Sequence, residues 1–221
     1  MIPFEAGWQQ ASGIIAIPPS WTSTFIANEQ LSRARVYYRN RDKALITEFT
    51  PRLPVEGPAA HAHGGFLASM LDETMGSACW YNGHPVLAAN LNVKYRKSVP
   101  LGQSYICVAH LERVESRRAI VKARIFDEGQ TYVEAKGLFI RVPVELLKKQ
   151  PDMAKMAEVI ETLKSGKSLN DLIELDKKRK GTSWQKNEGL DQLISRGVDL
   201  FNDAVSFAVQ ALVPDKQQNQ K

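Results

Sequence analysis

The chain has 221 residues, 43% hydrophobic and 24% charged, with a formal net charge of +5. That balance belongs to a globular protein with a sizeable core in one or two domains, and it excludes collagen-like, fibrous and wholly disordered classes. The basic residues are dispersed instead of forming one block, so the excess charge suits a phosphate-bearing small ligand and sets no nucleic-acid expectation.

The first residues, MIPFEAGWQQ, have no basic stretch followed by an apolar one, and nothing approaches the ~20 apolar residues of a membrane span. The expectation is a cytoplasmic protein without stable membrane insertion. Cys79 and Cys107 each lie in an apolar run with no second ligand nearby, as buried free thiols do.

Residues 1–33, with Pro3, Pro18 and Pro19 among the aromatics Phe4, Trp8, Trp21 and Phe25, show no sustained period and suggest an arm. From Ala34 to Phe49, ARVYYR and KALITEF flank a turn at Arg41 and Asp42 and predict a hairpin. Pro51, Pro54, Gly57 and Pro58 then mark a loop. Over 65–80, Leu67, Met70, Leu71, Thr74 and Ala78 recur on one face of a helix that should be largely buried.

Four strand-like runs follow, at 86–97, 103–114, 117–127 and 131–142. In the first, Leu87, Ala89, Leu91, Val93 and Tyr95 alternate with Ala88, Asn90, Asn92, Lys94 and Arg96. A hairpin, one apolar helix and four strands predict an α+β domain over 34–143 in which an antiparallel sheet covers the helix. Beyond Pro143 the composition turns to helix formers, and 144–221 reads as a helical extension. Its final segment carries an apolar stripe from Leu190 through Phe201 to Val209, with Asp191, Asp199 and Asp203 opposite, which disfavours anionic lipid. The run Lys177-Lys178-Arg179-Lys180 follows Glu174 and Asp176 as a solvated helix end does.

His63-Gly64-Gly65 stands just before the helix, where glycines leave backbone N–H groups open at the positive end of the dipole. Asp72 follows on the helix, with Gly65, Ser69, Gly76 and Cys79 on roughly its side. Taken singly, a Gly-Gly pair is a tight helix entry and a helical Asp a solvated charge. Together, with the strand pattern that follows, they point to a site more specifically than either does alone.

The run HGGFLASMLDETMG, with LAANLNVKYRKSVPLG after it, resembles the phenylacetate-pathway (PaaI-like) type of hotdog-fold acyl-CoA thioesterases over about residues 34–142. The resemblance implies a long helix wrapped by an antiparallel sheet, a homodimer or dimer of dimers, and active sites at the subunit interface. It implies a thioesterase that splits acyl-CoA into free acid and coenzyme A, with coenzyme A as part of the substrate and no other cofactor. Gly64 is then the oxyanion donor, Asp72 the general base or nucleophile, and His63 the frame of the loop. Gly65, Glu73, Asn90, Arg96 and Lys97 are candidate substrate contacts. Asp72 is preferred to Glu73 because successive helical residues point about 100° apart and its spacing after the His matches the family.

There is one departure: Ala88 stands where many of these enzymes carry a Ser or Thr, so Ser69 or Thr74 would have to supply that hydroxyl. The alternative is a catalytically weak acyl-CoA-binding or interaction protein. A hotdog hydratase is disfavoured, since no His follows Asp72 on its segment. His61, His84 and His110 have no ligand spacing, so no metal is expected, and neither a Ser-His-Asp elbow nor a P-loop is present.

Overall fold

The computed structural model describes residues 8–10, 25–26, 28–149, 157, 160–161 and 163–165. The basic run at 177–180 and the amphipathic segment from 188 onward lie outside these residues. The elements are β1 (Trp8–Gln10), β2 (Ser32–Arg39), β3 (Ala44–Pro51), α1 (Gly64–Tyr81), β4 (Val86–Tyr95), β5 (Tyr105–Val114), β6 (Arg118–Phe126), β7 (Thr131–Arg141) and α2 (Val144–Lys148). The strands make one antiparallel sheet in the order β1-β2-β3-β5-β6-β7-β4. The chain leaves β3 in mid-sheet, runs through α1 across one face, and enters β4 at the far edge. This is the hotdog arrangement: a helix wrapped by its own sheet.

The expected face of α1, Leu67, Met70, Leu71, Thr74 and Ala78, is buried throughout. Met70, Leu71 and Met75 are fully shut off from solvent, each stabilising the fold by roughly 1.5–3 kcal/mol. Strands β3 to β7 of the sheet pack against the helix. In β6, Ala119, Val121, Ala123 and Ile125 point inward while Arg118, Lys122 and Arg124 are exposed. Where α1 crosses β7 the space closes completely: a Cβ on Gly137 would sit 2.5 Å from the Phe139 ring and 2.8 Å from the Met75 methyl. One hydrogen-bonded pair fastens helix to sheet inside the core. The Thr74 hydroxyl donates to the Met70 carbonyl (2.7 Å), so its oxygen receives the Thr47 hydroxyl (3.0 Å).

The structure departs from the sequence expectation in three places. Trp8–Gln10 forms an added strand on β2 through Tyr37–Arg39, although nothing in its sequence alternates. A single 3-10 turn at Leu53–Val55 interrupts the loop after β3. β4 ends at Tyr95, not 97, because the N–H groups of Arg96 and Lys97 both go to the Tyr132 carbonyl (2.7 and 3.1 Å), which turns the chain off the ladder.

The C-terminal end of α1 is tied to the β2–β3 turn by Asn82. Its amide donates to the carbonyls of Ala78 (2.7 Å) and Lys43 (3.0 Å), and its oxygen accepts from Tyr38 (3.0 Å). Lys43 adopts φ +55°, a conformation that this bond helps to hold. In the turn that follows, Gly83 (φ +77°) leaves room for Leu163 and Lys164, while Ala157 and Ile160 are helical and buried.

Replacing Gly137 by Ala should overpack this contact and lower unfolding stability by about 1–3 kcal/mol, read as a lower urea midpoint at constant m; an unchanged midpoint would show that the Phe139 ring moves aside freely. His84 gives a pH test. Burial, then the charges of Arg141, Lys164 and Lys43, depress its pKa, and its Nδ1 is closed off without a partner among the described residues. The folded state therefore binds the proton less readily than the unfolded chain, so this contribution is complete above the ordinary histidine pKa of about 6.5 and is lost as pH falls below it. Urea titrations at neutral and mildly acidic pH should show a loss that His84→Asn diminishes; equal slopes would remove His84 from the account.

Candidate active site

The loop from Arg52 to His63 is fixed before α1 begins. Backbone bonds run from Gly57 to the His61 carbonyl, from Ala62 to Val99, and from His63 to Val55 (2.8–2.9 Å). A Cβ on Gly57 would meet the His63 Cα at 2.8 Å, so the loop closes tightly under the histidine.

His63 is the N-cap of α1: its Nδ1 accepts the Gly65 N–H at 2.9 Å. That bond places the ring proton of the neutral imidazole on Nε2. It also divides the labour of the glycines. Gly65 is needed because a Cβ there would come within 3.0 Å of His63 Nδ1, and its N–H is consumed by the cap. Gly64 keeps its N–H, which has no acceptor among the described residues. A Cβ at Gly64 would make ordinary contact, 3.4 Å, with the Tyr95 ring, so within the chain nothing forbids a larger residue there. The absence of a side chain leaves the N–H approachable at the positive helix end. Tyr95, which sequence reasoning had only counted as an apolar strand position, is exposed and donates to the Gly64 carbonyl at 2.8 Å.

Asp72 lies eight residues further along α1 and is half-buried. Its Oδ1 is closed to solvent with no hydrogen-bond partner among the described residues. Burial, and then the Glu73 charge, raise its pKa above the ordinary aspartate value. Such a carboxylate is a stronger base than a solvated one.

The remaining candidates stand in settings of their own. Glu73 receives the N–H groups of Phe25 (3.4 Å) and Ile26 (3.1 Å), so its carboxylate holds the chain before β2 instead of facing an open space. Arg96 pairs with Glu134 at 2.8 Å and Lys97 donates to Gln130 at 2.6 Å. Asn90 is exposed after a bulge in β4 and, with Asn92, Lys94, Arg124 and Lys136, lines an open hollow of about 770 Å³ on the sheet. Neither substitute hydroxyl serves Asp72: Thr74 is committed to the core, and Ser69 donates to the Gly65 carbonyl at 2.9 Å. Ala88 itself is exposed on β4. Among the described residues no cluster of three His, Cys, Asp or Glu has the form of a metal site, and no helix is long and apolar enough to cross a membrane.

Residues 59–134, which run from the end of the loop through α1 and β4 to β6 into the start of β7, match the family model described as the Thioesterase superfamily. The chain is similar to acyl-coenzyme A thioesterase THEM4 of Xenopus laevis, 32% identical over 109 residues covering 48% of this chain and 49% of that protein. It is 25% identical to acyl-coenzyme A thioesterase THEM5 of Homo sapiens over 112 residues, 50% of this chain and 45% of that one. The chain thus spans about half the length of the curated relatives it matches. A solved thioesterase superfamily protein is 28% identical, with a TM-score of 0.47, covering 48% of this chain and 53% of its own. The match to the Thioesterase superfamily model thus takes in the glycine entry and the wrapped helix of the hotdog domain.

Proposed function

We propose that the domain hydrolyses the thioester of an acyl-CoA to a free acid and coenzyme A. The observation that carries this reading is the half-buried carboxylate of Asp72, whose Oδ1 has no partner among the described residues, on a helix whose glycine N-terminus presents an N–H at Gly64 that has no acceptor among them. The names of the curated relatives support it and indicate the acyl-CoA substrate class.

Hydrolysis adds water to the thioester carbon through a tetrahedral oxyanion. Gly64 donates its N–H to that oxygen, an interaction worth roughly 10²–10³ in rate at comparable sites. Asp72 removes a proton from the attacking water and returns it to the departing thiolate, so that coenzyme A leaves as its thiol; if Asp72 attacks the carbon itself, the thiolate leaves first and water then hydrolyses the acyl-aspartyl anhydride to the free acid. His63 keeps the loop closed and reserves Gly64 for substrate by taking up the neighbouring N–H.

One chain does not complete the site. Eight residues of helix separate Gly64 from Asp72, about 12 Å of rise, which is too far for both to act on one thioester carbon. Two copies, each supplying one group to the other, resolve this, and the active unit is accordingly a homodimer with paired sites. The second reading, an acyl-CoA-binding protein with little turnover, is favoured by Ala88 and by the engaged Ser69 and Thr74, which leave Asp72 without a hydroxyl to orient water. Acyl-CoA binding without release of coenzyme A would select it.

Asp72→Asn should lower coenzyme A release by about 10²–10⁴, with the fold intact by circular dichroism; undiminished turnover would remove Asp72 from the chemistry. Because the Asp72 pKa is raised, wild-type kcat/KM should fall on acidification with a midpoint above that of ordinary aspartate, and a flat profile down to that value would contradict a general-base role. Sharing between subunits has its own test. Mixing inactive Asp72→Asn and Gly64→Val chains under exchange should restore about a quarter of wild-type sites, whereas sites contained in one chain would restore none.

A further inference from the structure

The carboxylate of Glu73 reaches across the fold to a segment 47 and 48 residues earlier in the chain. Oε1 takes the Phe25 N–H and Oε2 the Ile26 N–H, so one side chain holds two consecutive backbone donors. The Ser32 hydroxyl at the start of β2 donates to the Phe25 carbonyl at 3.3 Å and fixes the same residue from the other side. The Phe25 ring then packs 6.4 Å from Phe66, which in turn stands 6.1 Å from Phe49. Phe66 immediately follows Gly65, and Glu73 lies two turns further along nearly the same side of α1. Residues 25–26 therefore bridge the helix from its glycine entry to the level of Asp72.

We propose that Glu73 is a positioning residue that clamps Phe25 and Ile26 onto α1, making the Phe25 ring, with Phe66, a wall of the space that receives the acyl chain. This rests on the thioesterase reading. Phe66 follows Gly64 by two residues, which puts the Phe25–Phe66 pair at the same turn of α1 as the proposed oxyanion donor. The selectivity-determining segment thus lies before β2, outside residues 59–134, and Glu73 joins it to the catalytic helix. The placement also separates the two carboxylates that stand side by side in a half-buried stretch: Asp72 Oδ1 has no partner among the described residues, while Glu73 has backbone donors. The charge of Glu73 further favours the protonated form of Asp72, so the clamp and the base are electrostatically linked.

The test uses the full chain with Glu73→Ala, Glu73→Gln and Phe25→Ala. By hydrogen exchange, the amides of Phe25 and Ile26 should open about tenfold faster or more in Glu73→Ala, with Glu73→Gln, which keeps one acceptor oxygen, in between. On a panel of short, long and aromatic acyl-CoAs, Glu73→Ala and Phe25→Ala should change the ratio of kcat/KM between long and short chains by about tenfold, mainly through KM. Glu73→Gln should largely restore that ratio while moving the acid limb of kcat/KM to lower pH. Unchanged exchange in Glu73→Ala, or an equal loss of kcat on every substrate with ratios preserved, would overturn the proposal. Were the wild type to release no coenzyme A, the thioesterase reading would fall by itself, and exchange at Phe25 and Ile26 together with acyl-CoA dissociation constants would still decide the clamp.

Discussion

A helix enclosed by its own sheet has little surface left for chemistry, and the packing of α1 against β7 shows how closely it is held. With no room for a single Cβ at Gly137, α1 cannot slide or roll without displacing Phe139 and Met75. The groups it presents are therefore fixed with core precision: the glycine entry at one end, and Asp72 on the stripe the sheet does not cover. Rigid presentation suits a reaction whose barrier depends on where a donor and a base stand.

The N-terminus of α1 offers several N–H groups, and the local sequence decides which of them remains available. A serine or aspartate cap would satisfy one donor through a flexible short side chain. A histidine does so with a rigid ring, itself braced by Gly57, and requires a second glycine opposite its nitrogen. The two glycines of the motif are thus not equivalent. Gly65 serves the cap, and the Gly64 N–H is left with no side chain over it and no acceptor among the described residues.

Most of the fold was legible in the sequence because its strands alternate and its helix has one apolar face, patterns that follow directly from which side meets the core. The short β1 was not, since three residues paired at a sheet edge need no periodicity of their own. The position of the His-Gly-Gly run and of Asp72 was legible too, because open glycines before a buried helix and an acidic residue within it are locally unusual. What local pattern could not show was the partner of each group. Ser69 and Thr74 read alike as spare hydroxyls, yet one is bound to a carbonyl one turn back and the other sits in the core. Glu73 looked like a second site carboxylate, and its backbone donors lie nearly fifty residues away, a long-range pairing that carries no signature in the sequence.

Asp72 and Thr74 show how differently buried polar groups on one helix are treated. Thr74 is deeper, and both its hydroxyl hydrogen and its oxygen have partners, so its burial costs little. Asp72 is shallower, yet an oxygen stays unpaired and close to another negative charge, an arrangement that disfavours the ionised form in the free chain. A fold selected for stability alone would place a donor against it or replace it. The same raised basicity is what proton abstraction from water requires, and a substrate water or a donor from the second copy would meet the unpaired oxygen once the site is assembled. In the proposed dimer, the interaction that completes the site would offset this unfavourable burial and couple assembly and substrate binding to the state of one carboxylate.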